Sequence, residues 1–337
     1  MKTNRNLRSI LTGFGLALLL SIVAVSVALA GAAPSRKMTT GYTTIGGIVT
    51  PLWLSHEKGL FHKYGLDVTL NYISSGPVIV SAVLAGDIEI TTAGAEQFVG
   101  GILEGGDLAI VGFIATTTPL MLYGQPSITR VEQLKGGIAA VSRLTSSSAY
   151  MLKVGLRQAG LEPMKDVTVI QAGGIPESFA ALQSGRVQAA ILSPPTTYKA
   201  EAAGFKRLWS GLGVEYPSLI VATRKSFLKS SGDIAVRYLQ AVSEGVHIFK
   251  TDREEALKVM SKYTKVSDRK VLEDTYNDNK DVHTVGLQPT VSGIKSILET
   301  LSANNPKAAS ARPEDFIDDR PVKQLEESGF FKKLTGR

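Results

Sequence analysis

Apolar positions alternate along most of the chain between short runs and longer stripes. The runs "KMTTGYTT" (37–44), "LDVTLNYI" (66–73), "IEITTAG" (88–94) and "LAIVGFI" (108–114) have the length and β-branched content of strands. Between them, "PLWLSHEKGLFHKY" (51–64), "PVIVSAVLAG" (77–86) and "EQFVGGILEG" (96–105) carry helical stripes, the first ending at Gly65 as a C′ glycine. The same order then repeats: "GIAAVS", "SSAYMLKVGLRQAG", "VTVIQA", "PESFAALQSG", "QAAILS", "TTYKAEAAG", "KRLWSG". Strands alternating with such helices predict βαβ units and a mainly parallel sheet.

The repetition has a fixed offset of 99 residues. Asp67-Val68-Thr69 falls on Asp166-Val167-Thr168, Gly86 on Gly185, Gly105 on Gly204 and Gly112 on Gly211. "PLMLYG" from Pro119 falls on "SLIVAT" from Ser218. Residues 40–128 match 139–227 without a gap, which reads as a duplicated α/β lobe. Beyond Phe227 the stripes in "DIAVRYLQAVSEGVHIFK", "REEALKVMSKY" and "SGIKSILETLS" predict helices that pack on the lobes. "ANNPKAASARPED" reads as a polar connection and "PVKQLEESGFFKKLTGR" as a short helix with a tail.

The first 30 residues follow another pattern. Lys2, Arg5 and Arg8 precede an apolar stretch from Ile10 that ends at the small-residue site Ala28, Ala30. This describes a secretory signal peptide, with a retained anchor as the alternative because the stretch is long. Composition changes little: 44% of the 337 residues are hydrophobic and 20% charged. The formal charge of +7 falls to about +4 without the three leading cations, and no basic stripe with interleaved aromatics suggests nucleic acid. The chain has no cysteine, which excludes disulfides, thiolate metal sites and cysteine nucleophiles. His56 and His62 lie six apart, the wrong spacing for two ligands on one helix face. No catalytic set, metal site or cofactor motif is expected.

Candidate chemistry lies in the strand-to-helix turns, because ligands of open α/β sheets bind beyond the carboxyl ends of the strands. In lobe one these turns hold Thr43, Thr44, Gly46 and Gly47, then Ser75 and Gly76, then Thr92, Ala93 and Gly94. In lobe two they hold Arg143, Ser146, Ser147 and Ser148, then Gly173 and Gly174, then Ser193 and Pro194. Glycine lets a ligand approach the backbone, hydroxyls supply small donors, and helix starts supply free N–H groups. Turns of this kind are also built from these residues as plain caps. In the serine run, one hydroxyl is expected to cap the helix while its neighbours face the cleft. Arg143 is the one cation in these turns and could pair with an anionic ligand group.

"PLWLSHEKGLFHKYGLDV", "LAGDIEITTAG" and "LQSGRVQAAILSPP" resemble the periplasmic substrate-binding proteins of ABC importers, nitrate/sulfonate/taurine type. That group shares its fold with pyrimidine-precursor synthases of thiamine biosynthesis. The resemblance covers about residues 38–230 and implies two α/β lobes joined by two crossover strands, closing on a small ligand. It maps the family's helix-start serine onto Ser146, its first-strand turn onto Thr43 to Gly47 and its third onto Thr92 to Gly94. It implies lobe one at 37–122 plus 224–337 and lobe two at 123–223, with "PLMLYG" and "PSLIVAT" as the crossovers. The implied function is periplasmic solute capture by a monomer that delivers to a membrane permease, without catalysis. The ligand is a small organic molecule, with an anionic group suggested by Arg143, in the range of sulfonate, nitrate, aromatic acid or pyrimidine. A synthase-like enzyme and a protein delivering its ligand to a sensor are the alternatives. The synthases' cysteine-rich motif is absent, and neither His56 nor His62 lies in a strand-to-helix turn.

The leading segment gives the first prediction: N-terminal sequencing of exported protein should read a start just after Ala30. A chain that still begins at Met1 and fractionates with membranes would show an anchor instead.

Overall fold

A computed structural model of the chain describes residues 35–73, 75–144, 146–302 and 305–336. The expected signal segment, 1–30, lies outside the described residues, as do Ser74 and Thr145. Lys37–Arg337 forms one compact unit.

The first copy of the repeat gives β1 (Arg36–Tyr42), α1 (Thr50–Glu57), α2 (Leu60–Lys63), β2 (Leu66–Tyr72), α3 (Gly76–Ala85), β3 (Ile90–Ala93), α4 (Ala95–Leu103), β4 (Ala109–Ala115) and β5 (Met121–Gly124). The second gives β6 (Ile138–Val141), α5 (Ser147–Gln158), β7 (Thr168–Gln171), α6 (Ile175–Gln183), β8 (Ala189–Leu192), α7 (Thr196–Ala202), β9 (Lys206–Ser210) and β10 (Leu219–Thr223). The offset of 99 carries β3 residue for residue onto β8. The single helix expected over 51–64 is two helices. Gly59 between them adopts φ 65°, a left-handed conformation that ends the first turn-by-turn ladder.

There are two five-stranded sheets, ordered β2-β1-β3-β10-β4 and β7-β6-β8-β5-β9. Under the offset the two orders are the same, with β5 and β10 exchanged between lobes. The chain therefore changes sheet between residues 115 and 121 and returns between 210 and 219. The expected boundaries at 122/123 and 223/224 fall later than these changes. They would cut β5 and assign β10 to lobe two, whereas β10 pairs with β3 and β4 of the first sheet.

The two-lobed α/β fold is the expected one, and in each of its mixed sheets the strand from the other lobe is the one that runs against its neighbours. β1 pairs with β3, and β6 with β7 and β8, in parallel. β10 runs antiparallel to β3 and β4, and β5 to β8 and β9. The reason is geometric. A strand arriving from the other lobe enters its new sheet at the cleft, where the parallel strands end, and must run against them.

The C-terminal region is helical, as its stripes predict: α8 (Lys225–Thr251), α9 (Arg253–Thr264), α10 (Arg269–Asn279), α11 (Val291–Leu301), α12 (Pro306–Ser310), α13 (Arg320–Glu327) and α14 (Phe330–Thr335). The polar connection contains the short α12, with the Asn305 side chain accepting from Lys307 N–H at its start. Most of this region packs on the first sheet. One core joins Leu52, Trp53 and Phe61 to Tyr238, Val242 and Phe249 of α8, all nearly solvent-free.

The α1–α8 crossing is close because Gly245 has no side chain. A Cβ there would lie 2.1 Å from Ser55 Oγ and 2.4 Å from Pro51 O. Ser55 Oγ also donates to Ala241 O across the crossing at 2.9 Å. Gly245→Ala should therefore destabilise the protein by about 1–3 kcal/mol through overpacking. Urea unfolding would measure this; an unchanged midpoint would mean that the helices move apart at no cost.

Candidate functional site

The two segments that change sheet bond to each other. Gly211 N–H donates to Leu120 O at 2.8 Å, Tyr216 N–H to Thr116 O at 2.8 Å and Ser218 N–H to Ala115 O at 3.1 Å. Ser218 Oγ donates to Thr117 O at 2.5 Å. They form a short antiparallel ribbon between the lobes. Beside it opens a cavity of about 530 Å³.

Both lobes and the ribbon line this cavity. Lobe one supplies Thr43 and Thr44 after β1, Gly76 after β2, and Gly94, Glu96 and Gln97 after β3. Lobe two supplies Arg143, Ser146 and Ser147 after β6, and the ribbon supplies Thr118 and Ser218. Of the turn residues singled out by sequence, Thr43, Thr44, Gly76, Gly94, Arg143, Ser146 and Ser147 thus come together.

The others lie outside the lining. Thr92 is fully buried and its hydroxyl pairs with Tyr238 OH at 3.1 Å, so it belongs to the core. Ala93 is fully buried in β3. Gly46 precedes the short 3-10 turn Gly47–Val49. Gly47 is held against α10: a Cβ there would lie 2.5 Å from Thr275 Cγ2 and 2.7 Å from Asn279 Nδ2. Ser75 takes the N-cap position of α3 with extended backbone. Gly173 and Gly174 follow β7, an edge strand. Ser193 and Pro194 lead into α7, whose Tyr198 OH donates to Asp278 Oδ2 of α10 in the first lobe. That bond bridges the cleft with protein on the β8 side. Burial is the main influence raising the Asp278 carboxyl, while the Tyr198 hydrogen bond opposes it.

The serine run divides its work differently from the expected cap. Ser148 is 2% exposed. Its Oγ accepts from Ser142 N–H at 3.0 Å and lies 2.7 Å from Ser142 Oγ and 2.8 Å from Ser146 Oγ. Ser146 occupies the N-cap position of α5, yet its side chain caps nothing and instead donates to Arg143 O at 2.7 Å. Across the cavity from the start of α5, Glu96 of the other lobe lines the same wall space as Ser146 and Ser147. Tyr216 OH of the ribbon donates to Glu96 Oε1 at 2.8 Å.

Glu96 was not visible as a site residue in the sequence, and neither were Gln97, Thr118, Tyr216 and Ser218. Burial dominates at Glu96 and raises its pKa above the usual carboxylate range, although the Tyr216 hydrogen bond opposes it. Burial and the neighbouring carboxylate together push the Tyr216 phenol well up, so it stays a neutral donor. His283 supports the β1 turn from behind: its ring nitrogens lie 2.7 Å from Asn279 O and 2.7 Å from Ile48 O. Burial lowers its pKa to about 4 against the pull of those carbonyls.

Comparisons with known proteins agree with this architecture. A model of the NMT1-like family matches residues 31–264, and the chain belongs to that family. A Bacillus subtilis protein named as a binding protein, YtlA, is 24% identical over 213 residues, 61% of this chain and 64% of the relative's own length. A Brucella abortus protein, also named as a binding protein, is 26% identical over 263 residues, 74% of this chain and 80% of its own. Among solved structures, the periplasmic aliphatic sulphonate binding protein SsuA from Escherichia coli is similar with a TM-score of 0.71 at 22% identity, covering 85% of this chain and 92% of that one. The periplasmic nitrate-binding protein NrtA from Synechocystis is similar with a TM-score of 0.65 at 15% identity, covering 88% and 90%. The fold is that of periplasmic binding proteins.

The serine geometry separates the three hydroxyls by experiment. Ser148→Ala strands a partly buried N–H at Ser142 and should cost about 1–3 kcal/mol. Ser147→Ala leaves the contacts among the Ser142, Ser146 and Ser148 hydroxyls in place and should stay within about 0.5 kcal/mol of wild type. Thermal or urea melts of both variants test this; equal losses would show that the hydroxyl network does not set the turn.

Proposed function

We propose that this NMT1-like protein is the solute-capturing component of an ABC importer, holding a small molecule between its lobes and passing it to a membrane permease. The observation that carries the reading is the cavity between the lobes, lined from both sets of strand ends and from the ribbon that joins them. A ligand touching both lobes favours their closed arrangement by its differential affinity for that state. The names of the relatives and of the fold neighbours point the same way. So does the position of the histidines: none of the four lines the cavity, and His56, His62 and His283 have structural neighbours elsewhere. The protein works as a monomer, in the periplasm after loss of its leading segment, and changes no covalent bond of its ligand.

A thermal-shift screen of sulfonates, nitrate, aromatic acids and pyrimidines, followed by calorimetry on the best compound, tests this. One compound should stabilise the protein and bind with one-to-one stoichiometry. Thr44→Ala, in the lining, should weaken that binding by about 0.5–1.5 kcal/mol with little change in the melt. Binding that Thr44→Ala and its neighbours leave untouched would place the ligand elsewhere and sink the proposal.

A further inference from the structure

Two side chains of the cavity lining, Glu96 and Gln97, bring hydrogen-bond acceptors to one wall. Glu96 lines the cavity together with Ser146 and Ser147 of the start of α5, and Tyr216 OH holds its Oε1 at 2.8 Å. A helix start attracts anions through its free N–H groups and its partial positive charge. Here a carboxyl of the protein shares the cavity with that helix start. An oxoanion entering the same place would bring only acceptors toward the Glu96 and Gln97 oxygens. Next to Glu96, Gln97 Oε1 is buried without a hydrogen-bond partner. A buried acceptor left unpaired is costly, and a ligand N–H would satisfy it.

The two acceptors converge. A Cβ on Gly94 would lie 3.0 Å from Gln97 Oε1 and 3.0 Å from Glu96 Oε2, so both oxygens border the same spot at the cavity wall. Gly76 gives the Gln97 side chain its place, since a Cβ there would lie 2.3 Å from Gln97 Cγ. A group with two or three N–H bonds, an amino, amide or ammonium group, fits two neighbouring acceptors. We infer, on the reading that this cavity is the ligand site, that Glu96 and Gln97 select small molecules that donate N–H hydrogen bonds over nitrate and simple sulfonates, which offer only acceptors.

Calorimetry with matched pairs tests the inference: ethanesulfonate against taurine, benzoate against benzamide, pyrimidine against 4-aminopyrimidine. In the wild-type protein at least one N–H-bearing member should bind, tenfold or more tighter than its mate, and nitrate should not bind. Glu96→Gln should shrink that ratio at least tenfold and admit nitrate or ethanesulfonate. Gln97→Leu, which leaves the Tyr216–Glu96 hydrogen bond in place, should weaken the N–H-bearing member alone and serves as the second variant if Glu96→Gln unfolds. If mates lacking the donor bind as tightly, or neither variant changes the ratio, the inference falls while the solute-capture reading stands. If no compound binds wild type or variants, both fall.

Discussion

The pairing of the two inter-lobe segments is the constraint on which the rest depends. Gly211 N–H bonds to Leu120 O, and a Cβ on Gly211 would lie 2.7 Å from that same oxygen. Only a residue without a side chain allows the segments to approach so closely. Their contact fixes where each chain crossing enters its new sheet. It thereby makes β5 and β10 run against their parallel neighbours. It also places Thr118, Ser218 and Tyr216 beside the ends of β3 and β6, so that a ribbon built for connection becomes one wall of the cavity.

The start of α5 shows how the same constraint acts on polar groups. A helix start leaves backbone N–H groups unpaired, and a serine at the N-cap ordinarily satisfies one. Ser146 stands at that position but turns its hydroxyl back to Arg143 O. Glu96 of the opposite lobe lines the same cavity as Ser146 and Ser147 and is held by Tyr216 OH of the ribbon. Three separate parts of the chain thus meet around one carboxyl. Because Glu96 and the start of α5 belong to different lobes, any movement of the lobes changes the surroundings of that carboxyl.

Much of the scaffold was legible in the sequence, and the reasons are local. Alternating stripes reveal strands and helices because each element must bury one side, and the matched glycines keep their places because Gly86 and Gly185 both end helices in left-handed conformation. The strand exchange was legible only as a pair of similar runs, "PLMLYG" and "SLIVAT". Their direction was not, since hydrophobic pattern carries no information about which neighbour a strand meets. At the site, the turns after β1 and β6 were found because Gly, Ser and Thr mark turns. Thr92 was misplaced for the same reason: a turn-like residue at a strand end can face the core, and here Tyr238, 146 positions later, takes its hydroxyl. Glu96 and Gln97 read as the first polar residues of an amphipathic helix, a position where acids are common for dipole reasons alone.

The duplication makes the site asymmetric in a useful way. Under the offset of 99, Glu96 falls on Pro195 and Gln97 on Thr196, so the second copy has no equivalent acceptors. Gly47 falls on Ser146, and the contrast has a physical cause. In the first copy α10 packs so closely that a Cβ would touch Thr275, whereas the helices after Thr223 have no duplicate to press on the second. Hydroxyls line the cavity from both lobes, Thr43 and Thr44 from one and Ser146 and Ser147 from the other, but Glu96 and Gln97 stand on one side only. A nearly symmetric scaffold thus yields a cavity whose two walls differ in chemistry.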